Sequence, residues 1–179
     1  ISACLVGSEM CIRDRYISSE LDLSDKEQGL KIIQTSEFPY KGYSEIKILN
    51  SNNKETIIYF RIPSWDQKTK ILINGEEINY KTFNGYAKIY RKWKAGDKIE
   101  LKFDFTPRFV RTNPNVRYNI RKASIFRGPI LYCLEEIDNG KNLNRFVIDS
   151  NNNFNEKEDK INSENIISLT ANGFKFKDS

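Results

Sequence analysis

The segment Lys98-Ile99-Glu100-Leu101-Lys102-Phe103-Asp104-Phe105 alternates charged and apolar residues without a fault. Successive side chains of an extended strand point to opposite faces, whereas a helix returns to the same face about every 3.6 residues. The segment therefore predicts a strand with Ile99, Leu101, Phe103 and Phe105 buried on one face and the charges in water. That is the signature of an antiparallel sheet packed on one side only.

The same period recurs along the chain. Strands are expected at 44–49, 56–62, 70–74, 86–90, 123–126 and 129–134, with later ones at 166–169 and 174–176. These runs are short and rich in Ile, Phe and Tyr, which suit a pleated, half-buried surface. Asn74-Gly75 sits between two of them and predicts a tight hairpin. Asn84-Gly85 and Ala95-Gly96-Asp97 mark further turns. Pro63 should end a strand, because it has no N–H to give to the ladder. Residues 22–33 are the one stretch with a plausible helical stripe, and Gly29 weakens it. Many short strands joined by turns predict an all-β fold, an antiparallel β-sandwich. Residues 16–105 form the denser unit. Residues 106–115, with Pro107 and Pro114, read as a connection. Residues 106–179 start a second sandwich and are too few to complete one, which usually takes about 100 residues. Within them, 149–165 is polar and reads as a long surface loop or mobile insertion.

The first fifteen residues, ISACLVGSEMCIRDR, stand apart. Their apolar part is too short for a signal sequence and lacks a basic start. The string resembles a translated sequencing-adapter artefact, so residues 1–15 are set aside from the fold and further coding sequence is expected upstream. Two of the three cysteines, Cys4 and Cys11, go with them, leaving Cys133.

Composition narrows the chemistry. The 179 residues contain no histidine, which excludes Ser-His-Asp and Cys-His nucleophile systems and His-bearing zinc sites. The net charge of +5 arises from 29 basic and 24 acidic residues that are interspersed. A nucleic-acid surface concentrates its cations on one face, so no nucleic-acid partner is expected. No apolar run approaches the roughly 18 residues that suggest a membrane helix, so no membrane partner is expected either.

Four groups merit weighing as sites. Glu135, Glu136 and Asp138 follow an apolar run, but neighbouring strand residues face opposite ways, so Glu135 and Glu136 cannot flank one bond. They read as a polar strand end. Cys133 reads as a buried packing residue, since no base stands near it in sequence. Trp65, Trp93, Tyr86 and Tyr90 suggest either a sugar-stacking platform or core, and core is favoured because aromatics dominate sandwich interiors. On that reading Trp65→Ala should cost about 3–5 kcal/mol. Phe126-Arg127-Gly128-Pro129 reads as a bend. No residue is assigned a catalytic, cofactor-binding or metal-binding role.

The motifs form an ordered series: Arg61-Ile62-Pro63-Ser64-Trp65, Ile73-Asn74-Gly75-Glu76, Gly85-Tyr86, Arg91-Lys92-Trp93-Lys94-Ala95-Gly96-Asp97, and Arg127-Gly128-Pro129 through Glu135 with Asp138. Tyr16-Ile17-Ser18-Ser19 and Thr35-Ser36-Glu37-Phe38-Pro39-Tyr40 precede them. Together they resemble the region that follows the catalytic domain in glycoside hydrolase family 127, the β-L-arabinofuranosidase group. The resemblance implies a bacterial enzyme with an N-terminal (α/α)6 barrel and two β-sandwiches, of which this chain holds the sandwiches. It implies that the catalytic cysteine, glutamate and zinc site lie in the barrel, and that this chain is itself inactive, with the barrel as intramolecular partner and an arabinose-containing glycan as substrate. The alternative is a stand-alone carbohydrate-binding module, which needs exposed aromatics along one sheet face.

Overall fold

The computed structural model describes residues 10–13, 16–149, 151, 153–161 and 164–176. The chain divides into two compact units, Ile1–Phe105 and Thr106–Ser179.

Unit 1 is a sandwich of two sheets. Its strands are β1 (Met10–Arg13), β2 (Ser19–Leu23), β3 (Leu30–Ser36), β4 (Tyr43–Ser51), β5 (Glu55–Arg61), β6 (Lys70–Ile73), β7 (Glu76–Ile78), β8 (Thr82–Phe83), β9 (Tyr86–Lys92) and β10 (Lys98–Lys102). One sheet has the order β2-β3-β4-β10-β6-β7, the other β1-β5-β9-β8. The alternating strand β10 lies inside the larger sheet, antiparallel to both β4 and β6. Ile99 and Leu101 are fully buried, and Phe103 and Phe105 continue the buried row past the strand end. They meet Ile46 and Ile48 of β4, Ile58 and Phe60 of β5, Ile71 of β6 and Trp93 in one core.

The turns follow their sequences. Asn74 and Gly75 have φ of 54° and 89°, and Asn84 and Gly85 have 50° and 76°. Two successive positive φ values are what a type I′ hairpin requires, and its twist matches that of the flanking strands. Residues 22–33 correct the helical expectation. They close a β2–β3 hairpin, in which Leu23 and Leu30 are paired and both are buried. Gly29 turns the chain at φ 55°, and a Cβ there would stand 2.4 Å from the Asn52 amide nitrogen. Leu23, Leu30 and Ile33 fall at helical spacing, but the buried residues Leu30, Ile32 and Gln34 alternate as a strand does.

A second correction concerns the amino terminus. Met10–Arg13 runs parallel to β5, with Met10 opposite Ile57 and Arg13 opposite Phe60. Four of the fifteen residues set aside thus pair with the sheet, while 1–9, 14 and 15 lie outside the described residues. Backbone hydrogen bonding is enough for this pairing, since the open edge of a strand accepts an extended chain whatever its side chains.

Among its described residues, unit 2 has three small sheets. Strands β11 (Arg108–Arg111), β12 (Ala123–Arg127) and β13 (Ile130–Tyr132) form the first, in that order. Strands β14 (Phe146–Ile148) and β17 (Gly173–Lys175) pair, and so do β15 (Asn155–Ile161) and β16 (Glu164–Thr170). Two expectations change here. The connection 106–115 contains β11, and the presumed loop 149–165 contains β15. Strand β15 reads Asn-Glu-Lys-Glu-Asp-Lys-Ile, so no apolar alternation announces it. Its ladder to β16 is made by the backbone. Gly128, at φ 55°, makes the expected bend between β12 and β13. All the buried hydrophobic residues lie in unit 1, between Tyr16 and Phe105; among the described apolar side chains of unit 2 none is buried.

Candidate functional site

The wet face of the larger sheet holds the densest charge cluster. Glu45 of β4 and Glu100 of β10 are direct cross-strand partners. Two carboxylates placed this way repel each other, and the neighbouring side chains offset the repulsion. Lys98 lies 2.7 Å from Glu45 and 3.4 Å from Glu100, and Lys47 lies 2.9 Å from Glu45. The Tyr43 hydroxyl is 2.8 Å from Glu100 Oε1 and 3.0 Å from Glu45 Oε2. It has one proton, so it donates to one carboxylate at a time.

The electrostatics decide what this pair can do. Hydrogen bonds from Lys98, then Lys47, hold Glu45 down at about 2. Glu100 is lowered by Tyr43, then by Lys98. Burial, then the two carboxylates, raise Tyr43. A glycosidic general acid needs the opposite, a carboxyl held protonated near neutral pH. The pair is therefore an ion network that ties β4 to β10. Glu45 contributes stability that is complete above its unfolded value near 4.3 and is lost as pH falls towards 2. Glu45→Gln should therefore flatten the acid limb of the stability curve between about pH 4.5 and 2. Urea unfolding at stepped pH reads this directly, and an unchanged limb would refute the assignment.

The candidates named from sequence separate in space. Glu135 precedes the one-turn helix α1 (Glu136–Asn139), and Glu135, Glu136 and Asp138 are all exposed. They lie past the end of β13 (Ile130–Tyr132), in and before that helical turn, rather than at a strand end. Cys133 is a correction: it is a free, exposed thiol. β13 stops at Tyr132, one residue short of it, so no neighbouring strand covers the sulfur. Trp93 is fully buried, and its Nε1 donates to the Thr56 carbonyl at 3.0 Å. Trp65 is half-buried in a ring cluster with Phe38, Phe103 and Phe105. Tyr86 and Tyr90 share a face as expected, but it is the wet one, and Tyr90 is 58% exposed. The four aromatics therefore form neither one platform nor one core. The Glu45–Glu100 pair and the exposed ring of Phe83 were missed. Their side-chain types are visible in sequence, but the pairing across some fifty residues is not.

The ordered motifs turn out to be structural clamps. Asp97 is buried, which raises its pKa, yet hydrogen bonds from the Asn74 amide and the Lys94 N–H outweigh this and lower it. Those bonds are both 2.9 Å, and Asn74 Oδ1 accepts from the Lys98 N–H. One hairpin is thereby locked to the turn before β10. Arg61 donates from Nη1 to the Gly85 carbonyl at 2.7 Å and lies over the Tyr86 ring. Tyr16 donates to the Arg61 carbonyl and packs on Phe38 and Phe103. In unit 2, Arg127 is buried and reaches Glu156 with Nε and Nη2, each at 2.9 Å.

Two family models cover these clamps in tandem. Residues 12–105 match "Beta-L-arabinofuranosidase, GH127 middle domain", and 107–172 match "Glycoside hydrolase family 127 C-terminal domain". The chain belongs to glycoside hydrolase family 127. A curated relative, the non-reducing end β-L-arabinofuranosidase of Bifidobacterium longum, is 31% identical over 143 residues, which are 76% of this chain and 21% of that protein. The crystal structure of a GH127 β-L-arabinofuranosidase from Geobacillus stearothermophilus T6 superposes with a TM-score of 0.88 at 29% identity, over 94% of this chain and 27% of that one. A GH127 β-arabinofuranosidase structure gives 0.82 at 26% identity, over 92% and 28%. The chain thus spans between a fifth and a third of the length of these relatives. Among the described residues no group of three His, Cys, Asp or Glu side chains could hold a metal ion. The described residues therefore do not fit a zinc centre.

Proposed function

We propose that this chain is the non-catalytic sandwich region of a larger GH127 glycoside hydrolase acting on arabinofuranosyl linkages. The carrying observation is the tandem match to the middle and C-terminal domains together with the small share of each relative that the chain spans. Its role is support: the two units pack against a catalytic (α/α)6 barrel outside this sequence, and the nucleophile and any zinc belong to that barrel. The depressed Glu45 and Glu100 support the reading, because neither is poised to protonate a leaving group.

The test compares this chain with the product of the complete gene on 4-nitrophenyl β-L-arabinofuranoside. The complete enzyme should release nitrophenol and the chain alone should release none. Hydrolysis by the chain alone, abolished by a single substitution within it, would sink the proposal. Within the complete enzyme, Trp93→Ala should lower the inactivation temperature while kcat/KM at low temperature stays near wild type.

A further inference from the structure

The outer face of the smaller sheet combines aromatic rings with cations. Ile57, Tyr59 and Arg61 alternate on β5 with the buried Thr56, Ile58 and Phe60. Tyr86, Lys88 and Tyr90 alternate on β9 with the buried Ala87 and Ile89. The register sets Arg61 opposite Tyr86, Tyr59 opposite Lys88, and Ile57 opposite Tyr90. β8 places Phe83 opposite Tyr86. Phe83 is 78% exposed, far beyond what an edge phenylalanine needs for packing. The rings thus form a track with Phe83 and Tyr86 at one end, Tyr59 in the middle and Tyr90 at the other. Tyr86 and Tyr90 are four residues apart, about 13 Å along the strand, enough for several sugar rings in line.

We infer that this face binds a glycan chain bearing carboxylate groups. Sugar rings present apolar C–H faces, which stack on exposed aromatic rings, and their hydroxyls need polar partners at the rim. The track supplies both. The Tyr90 hydroxyl is fixed on Glu55 at 2.5 Å, and Arg61 is pinned by the Gly85 and Ile62 carbonyls. The charge selects among glycans. Arg61, Lys88 and Lys92 face outward against one carboxylate, Glu55, which the register sets opposite Lys92. Lys88 stands between the two tyrosines, exposed, and makes no ion pair with the described residues. A sugar carboxylate lying along the track meets this surplus of positive charge. A nucleic acid would need a longer cationic stripe to follow its phosphates, and the other basic residues of the chain are interspersed with acidic ones. This binding stands apart from the supporting role, since it needs neither the barrel nor hydrolysis.

Affinity electrophoresis of the complete 179-residue chain tests it, in gels containing polygalacturonate, neutral galactan or no polymer. Polygalacturonate should retard the chain more than galactan does. Phe83→Ala and Tyr90→Ala should each weaken binding about tenfold, equivalent to about 1.4 kcal/mol. Lys88→Gln, an exposed change that leaves the fold intact, should weaken polygalacturonate binding and leave galactan mobility alone. Tyr43→Phe, on the other sheet, should change nothing. Absence of retardation overturns the inference, as does retardation indifferent to all three face variants. Equal retardation by both polymers overturns the charge selection. Tighter binding to an oligo-dT strand in a parallel titration would assign the face to nucleic acid instead. Circular dichroism identifies any variant that fails to fold, and Lys88→Gln then decides.

Discussion

Replacing Trp93 by alanine is expected to destabilise unit 1 by about 3–5 kcal/mol, the range for removing a large aromatic from a packed core. The indole has no exposed surface and is the largest fully buried side chain. Its Nε1–H satisfies the Thr56 carbonyl of β5, and its own carbonyl accepts from Ser51 Oγ at the end of β4. Trp93 therefore touches both sheets where β9 leaves the sandwich. Alanine would leave a cavity and an unpaired buried carbonyl, and both effects add. Urea unfolding followed by far-UV circular dichroism should show a lower midpoint with an unchanged slope. A loss below about 1 kcal/mol would mean that the surrounding residues collapse into the space. Trp65→Ala should cost less than the core value expected from sequence, because part of its ring remains in water in the folded state.

Amide hydrogen exchange should divide the chain at Phe105. Amides of β3, β4, β5, β9 and β10 are expected to exchange at least about a hundredfold more slowly than those of β11 to β17. Among its described residues unit 1 buries eighteen hydrophobic ones, from Tyr16 to Phe105. Unit 2 holds its sheets by backbone pairing and a few polar links, such as Arg127 to Glu156 and the Tyr132 hydroxyl to the Ile167 carbonyl at 2.8 Å. Backbone pairing without burial contributes little net free energy, because water competes for the same groups. Tyr118 and Ile137, at 91% and 88% exposed, show how much apolar surface is left in water. Equal protection in the two units would refute this account and would point to a partner that covers unit 2.

Much of unit 1 was legible because its strands carry their own evidence. The alternation from Lys98 to Phe105, the Asn-Gly turns and the Ile-rich runs each fix local geometry without help from distant residues. The errors have one cause, the loss of a local signal. Residues 22–33 carry Leu23, Leu30 and Ile33 at helical spacing, which masks the strand alternation that begins at Leu30. β15 lacks an apolar face, so alternation could not reveal it. Cys133 lies in a run that looks like a buried strand, yet the ladder ends at Tyr132. Tyr86 and Tyr90 were correctly placed on one face, but an aromatic row does not say which side of the sheet is inside.

Local patterning alone is enough for the all-β class and most strand positions of unit 1. The sequence carries the family as well, through an ordered series of motifs at turns and strand ends. The tertiary structure decided register and exposure. Register sets Glu45 against Glu100 and lines up Phe83, Tyr86, Tyr59 and Tyr90 on one outer face. These are contacts between residues far apart in the chain, and a strand pairs through backbone groups common to nearly every residue. Period-two patterning can therefore say that a strand has two faces. Only the packed partner decides which face is core and which is free to meet a ligand.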